Sequence, residues 1–361
     1  NPGTRQLFLD SPWGLRFTTH PEKVIGDFLD AEIDRFTSAQ FSVLDHLPSY
    51  HRFSITGAAG TGKTWLLLDL ALRWAGRSES APKREVLLLC FNKGLERYLE
   101  AQVARMAERP RYTKRIHVRC WESVVKECLQ LIGEQFAPPA DKAERSRYFR
   151  EDVPAALELA LNDHRLAPRY DALVVDEAQD HDTTSGQLPH GWWSIYRALL
   201  RQPDTAPIAV AYDTAQRPLF TGPERFEEAK LLEWLGAGAV RLHCPLVLRY
   251  TPTLAHFLAP VATAVGLSLG PLPALDDSAV DGPAVIERTV PAESVVAAVN
   301  EVATQWLKDG LAIPAEILVI SAAERWHTLL GTRLADCDLV PVEERSKNRI
   351  SHVAAGGCKG L

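Results

Sequence analysis

Gly57-Ala58-Ala59-Gly60-Thr61-Gly62-Lys63-Thr64 decides the fold of this chain. An apolar run, Phe53-Ser54-Ile55-Thr56, precedes it, and a helix-like run, Trp65-Leu66-Leu67-Leu68, follows. Strand, glycine-rich loop and helix in that order form a P-loop. Glycines let backbone N–H groups curl around an anion with no Cβ in the way. The helix starting at the lysine points its positive end at the same anion. The spacing therefore assigns Gly57, Ala58, Ala59, Gly60, Thr61, Gly62, Lys63 and Thr64 to a nucleotide triphosphate. Lys63 is expected on the β- and γ-phosphates and the Thr64 hydroxyl on Mg²⁺.

Working outward, short apolar runs alternate with helical patterns. Strands are expected at Phe53–Thr56, Val86–Phe91, Ile116–Arg119, Ala172–Asp176 and Ile208–Tyr212. Helices are expected at Thr64–Trp74 and Gly94–Met106. This alternation predicts an α/β fold with a parallel sheet covered on both faces. A weaker second series, Val240–Leu242, Ala284–Ile286, Ile317–Ser321 and Ile350–Val353, predicts a smaller α/β domain. The expected organisation is a connecting segment over 1–36, an ATP-binding domain over 37–238 with a small insertion at about 124–168, and a partial second domain over 239–361. The stretch Ala137–Arg150 is rich in proline and charge, and Gly266–Pro283 reads as a loop.

The next strong signal is Leu173-Val174-Val175-Asp176-Glu177-Ala178-Gln179-Asp180. A buried strand here ends in two acids, and strand carboxyl ends line the ligand crevice of a parallel sheet. Acids after a strand also cap helices. Beside a P-loop, Asp176 is expected to hold Mg²⁺ and Glu177 to activate the attacking water.

Composition bounds the remaining options. The chain has 361 residues, 46% hydrophobic, with net charge −6, so any nucleic-acid partner must use a local basic patch. No run approaches the about 20 apolar residues of a membrane span, and no signal peptide opens the chain. The six cysteines form no CxxC pair, which suits reduced thiols in a cytoplasmic protein. The start at Asn1, with Met106 the sole methionine, suggests a processed or cut N-terminus.

The P-loop together with Asp176-Glu177-Ala178-Gln179 resembles superfamily 1 helicases of the UvrD/Rep type. Further stretches agree in order. Gln40, 17 residues before Gly57, is similar to the family's adenine-reading glutamine. Val86–Asn92, ending in Phe91 and Asn92, is similar to a strand and loop that contact single-stranded nucleic acid. Cys120-Trp121-Glu122-Ser123 partly matches another such motif, with glutamate in place of the expected histidine. Tyr212-Asp213-Thr214-Ala215-Gln216 resembles the third motif, in which Gln216 would sense the γ-phosphate. Leu248-Arg249-Tyr250-Thr251 resembles the arginine motif, in which Arg249 would reach the γ-phosphate.

The resemblance implies a P-loop NTPase with two RecA-like domains, ATP and Mg²⁺ as cofactors, and hydrolysis in the cleft between the domains. It implies a motor on single-stranded DNA, with RNA as an alternative strand. A second option is an ATP-gated switch controlling a fused or partner nuclease without unwinding. Lys359-Gly360-Leu361 resembles the start of the fifth motif, and the sixth is missing, which reads as a C-terminal truncation of a compact form.

Between the strand-contacting motifs, Arg105–Arg119 carries six Lys/Arg and one acid. Arg111, Lys114 and Arg115 could follow phosphates, and Tyr112 or Trp121 could stack on bases. Such runs are also ordinary solvated connections. Trp192-Trp193 could offer a face to bases or belong to the core.

Overall fold

The computed structural model describes residues 50–76, 83–106, 114–181, 190–214, 216, 226–245, 252–264, 285–321, 330–341, 344 and 346–354. The chain divides into a larger and a smaller unit.

The larger unit is built on six strands: β1 (Arg52–Thr56), β2 (Val86–Cys90), β3 (Ile116–Cys120), β4 (Ala172–Val175), β5 (Ile208–Tyr212) and β6 (Val240–His243). They form one sheet in the order β3-β2-β4-β5-β1-β6, and every pairing is parallel. β2, β4 and β5 are buried along their whole length. Continuous apolar strands of this kind require cover on both faces. Edge strand β3 instead alternates buried and half-buried residues.

The helices supply that cover. α1 (Lys63–Trp74) and α2 (Lys93–Met106) lie on one face, where Leu66, Leu67, Leu70 and Leu95 pack on Ile55, Leu88, Val174 and Ala209. α3 (Trp121–Leu131), α6 (Trp192–Ala198) and α7 (Glu228–Leu235) pack on the other face against Leu87, Leu173 and Val210. Between α3 and β4 lies the inserted segment. Asp141 opens its α4 (Lys142–Arg147) by accepting from the N–H groups of Ala143 and Glu144. A wider turn over Tyr148–Asp152 then leads into α5 (Val153–Asn162).

Register aligns the strand ends. Thr56 pairs with Tyr212 and His243, Val175 with Val210 and Leu89, and Cys90 with Cys120. The segments following all six strands therefore emerge at one edge, where the P-loop and the acidic pair sit. β5 lies between β1 and β4.

The structure differs from the sequence reading at several elements. Val240–His243, expected to open the second series, pairs with β1 and closes the first sheet. Val285 and Ile286, expected in a strand, are exposed and irregular. Of the two options the sequence left for Trp192 and Trp193, the structure shows the core one.

Between the two sheets in sequence comes α8 (Pro252–Ala264). The smaller unit carries α9 (Val295–Lys308) and the strands β7 (Leu318–Ser321), β8 (Arg333–Leu334), β9 (Cys337–Pro341) and β10 (Arg349–Ala354). Their order is β7-β10-β9-β8. β10 runs parallel to β7 and β9, as expected of a small parallel sheet, while β8 adds an antiparallel edge. Ala335 and Asp336 make the β8–β9 turn with φ of 50° and 62°. Two left-handed residues suit a tight hairpin, but Ala-Asp lacks the Asn-Gly type of cue, and the sequence reading missed it.

Candidate functional site

The P-loop emerges from β1 and its conformation follows from its glycines. Gly60 and Gly62 have φ of 82° and 85°, a region that side chains rarely adopt. At Gly57 the restriction is space. A Cβ there would come within 2.6 Å of Thr61 Oγ1 and 2.7 Å of the Cys244 carbonyl oxygen. Cys244 stands there because its N–H donates to the Thr56 carbonyl, extending the β1–β6 pairing to the loop.

α1 starts at Lys63 directly after Gly62. Lys63 Nζ donates to the carbonyls of Gly57 (2.8 Å) and Ala58 (2.9 Å), folding the cation back over the loop. Thr64 Oγ1 donates to Asp176 Oδ2 at 2.8 Å. Two distant stretches of sequence thus meet at one pair of oxygens.

Asp176 is fully buried, and its carboxyl pKa is pushed up to about 6. Burial is the main cause and the neighbouring Glu177 charge the next, while Thr64, Lys63 and the Glu177 N–H pull the other way. A buried carboxylate this poorly compensated is suited to a hard cation. Carboxylate and hydroxyl oxygens, with a lysine alongside, form a donor set that fits Mg²⁺ and a triphosphate. The residues present therefore fit the group expected from sequence: Lys63 and the loop N–H groups would hold phosphates, and Thr64 and Asp176 would hold the metal.

Glu177 adopts a left-handed conformation (φ 51°, ψ 47°), uncommon for a residue with a side chain. Its carboxylate accepts from the Gln179 amide. The side-chain Oε1 of Gln179 in turn accepts from the Asp213 N–H at 3.2 Å, and Gln216 Nε2 donates to Asp213 Oδ2 at 3.0 Å. A continuous chain of hydrogen bonds thus runs from Glu177 through Gln179 and Asp213 to Gln216. The sequence reading gave no role to Gln179 or Asp213. Their signal was already present, because both lie inside the quoted motifs.

The structure brings together Lys63, Thr64, Asp176, Glu177 and Gln216. Gln40, Arg111, Tyr112, Arg249 and Lys359–Leu361 lie outside the described residues. Phe91, Asn92 and Trp121 stand at the same strand-end edge as the P-loop. Phe91 and Trp121 stack with ring centres 6.1 Å apart, and Trp121 also meets Phe149 from the inserted segment at 5.3 Å. Both rings are half-buried. Asn92 Oδ1 accepts from the Leu95 N–H and caps α2.

Lys114 and Arg115 are not part of this group. They precede β3, at the opposite end of the sheet, about 16 Å of strand from Trp121. The Arg115 guanidinium donates to the Ala75 carbonyl. Glu122, standing where a histidine was expected, pairs with Lys93 at 2.8 Å and links the start of α3 to that of α2.

Residues 51–203 match a family model described as "Schlafen group 3, DNA/RNA helicase domain". That stretch holds the P-loop, the Phe91–Trp121 edge and Asp176–Gln179. A search of curated proteins finds no match to the chain. Among solved structures, one similar chain is "Crystal structure of Bacteroides Pif1 bound to ssDNA", 14% identical with a TM-score of 0.28. The alignment covers 66% of this chain and 47% of that one, so the chain spans less than half the length of that relative. The parallel sheet and the glycine-rich loop define an α/β P-loop domain. Over residues 51–203 it is similar to the Schlafen group 3 helicase domain.

Proposed function

We propose that this chain is the core of an ATP-dependent motor on single-stranded nucleic acid, a compact superfamily 1 helicase or translocase of the UvrD/Rep type. The observation carrying this reading is the Thr64–Asp176 contact beside Lys63, joined through Glu177 to the Gln179–Asp213–Gln216 chain. Mg²⁺ would neutralise charge on the phosphates when bound. Lys63 and the loop N–H groups orient the triphosphate. Glu177, held by Gln179, accepts a proton from the attacking water. Gln216 reports the γ-phosphate through Asp213. Phe91 and Trp121 offer aromatic surface to bases, where stacking contributes about 1–3 kcal/mol per base. Gln40 and Arg249 would add base reading and a second cation.

ATP hydrolysis measured with and without oligo-dT, with Glu177→Gln as the blank, tests this reading. Strand-stimulated hydrolysis that the variant abolishes is the expected result. Hydrolysis unchanged in Glu177→Gln would overturn the assignment of the base. Tight nucleotide binding without turnover would favour the switch reading.

A further inference from the structure

We propose that His181 is a positioning residue that carries strand occupancy from Phe91 to the catalytic acids. The inference rests on the motor reading above and adds its coupling element.

His181 follows the single short turn Ala178–Asp180 that begins directly after Glu177 and contains Gln179, and its N–H closes that turn on the Ala178 carbonyl. His181 as a whole is 1% exposed. Phe91 meets its ring edge-on, with centres 5.7 Å apart at 83°. Phe91 also stacks on Trp121, with ring centres 6.1 Å apart. Nδ1 of His181 pairs with the Tyr196 hydroxyl at 2.8 Å, and Trp193 and Tyr196 pack on the ring at 5.9 and 5.5 Å. Burial lowers the imidazole pKa to about 3, against an opposing pull from the Asp176 main chain. The ring is therefore neutral near pH 7, placed between the half-buried aromatic edge and the backbone bearing both acids.

A coupling element needs two discrete arrangements. Glu177 supplies the bistable residue. Its left-handed backbone costs about 1–2 kcal/mol, so a small push on the adjoining turn can re-aim its carboxylate. A base packing against the half-buried Trp121–Phe91 pair presses on the Phe91 ring. His181 passes that displacement to the Ala178–Asp180 turn, and the Glu177 carboxylate changes its hold on Gln179.

The test uses the full chain, with Mg·ATP hydrolysis measured with and without oligo-dT and oligo-U, and strand affinity measured in parallel. His181→Ala is expected to keep basal hydrolysis and strand Kd within about twofold, while strand stimulation falls about fivefold or more. Tyr196→Phe keeps every ring contact and removes only the hydroxyl. It is expected to reduce stimulation in the same direction, and it decides the matter where His181→Ala does not fold. Wild-type-like stimulation in both variants would overturn the proposal. Equal loss of basal and stimulated rates would also overturn it, because that marks a merely structural residue. A wild-type chain stimulated by neither strand would sink the motor reading itself, and this coupling with it.

Discussion

Replacing Asp176 with asparagine should stabilise the nucleotide-free protein while abolishing turnover. Asp176 is fully buried, and its pKa rises from about 3.9 in an unfolded chain to about 6 in the fold. Between those values the folded state binds a proton that the unfolded state has lost. Stability therefore falls as pH rises through that window and stays low above it. Two units correspond to about 3 kcal/mol at neutral pH. Asparagine removes this term but retains a single acceptor oxygen. Asp176 now accepts twice, from Thr64 Oγ1 and from the Glu177 N–H; in asparagine the amide nitrogen can donate to the Thr64 hydroxyl instead, so the charge-assisted bonds become neutral ones at a cost of about 1 kcal/mol. The net gain is about 1–2 kcal/mol, or about 2–8 °C in melting temperature for a unit of this size. Thermal unfolding followed by circular dichroism in EDTA, from about pH 4 to 8, measures it. The gain should be full above pH 7 and vanish near pH 4, where Asp176 is protonated in the fold and about half protonated in the unfolded chain. A variant no more stable than wild type at neutral pH, or a gain independent of pH, would refute the reasoning.

Lys63→Ala should abolish ATP-dependent phosphate release, and unchanged turnover would remove Lys63 from the site. Gly57→Ala pushes a Cβ against Thr61 and the Cys244 carbonyl. It should weaken nucleotide binding at least about tenfold and cost about 1–3 kcal/mol of stability, read by nucleotide titration and by denaturant unfolding. Gln179→Ala removes the partner that aims the Glu177 carboxylate and should lower kcat about 10–100-fold with little change in KM, as expected for a group acting on the base. His181 has its pKa depressed, so the unfolded chain binds the extra proton and stability falls as pH drops below about 6.5. His181→Phe should remove about 2–3 kcal/mol of that loss at about pH 4.5, and an unchanged acid profile would contradict the buried neutral ring.

The sequence by itself determined the local elements and their chemistry. Phe53–Thr64 could form only strand, loop and helix, because its glycines occupy backbone conformations and spaces closed to other residues. The apolar runs ending in Cys90, Val175 and Tyr212 required a sheet covered on both faces. The acids after Val175 fell at a strand end for the same reason. Sequence order alone could not place Val240–His243, which lies far along the chain yet pairs beside Thr56, because strand neighbours are fixed by the closing of the sheet. Nor could composition separate Lys114 and Arg115 from Trp121. They adjoin in sequence, but a strand is extended and carries them to opposite ends of the sheet. The Thr64–Asp176 contact, the Gln179–Asp213 bond and the seat of His181 beside Phe91 arise only when parallel strands align their carboxyl ends, bringing residues 34 to 112 positions apart into contact.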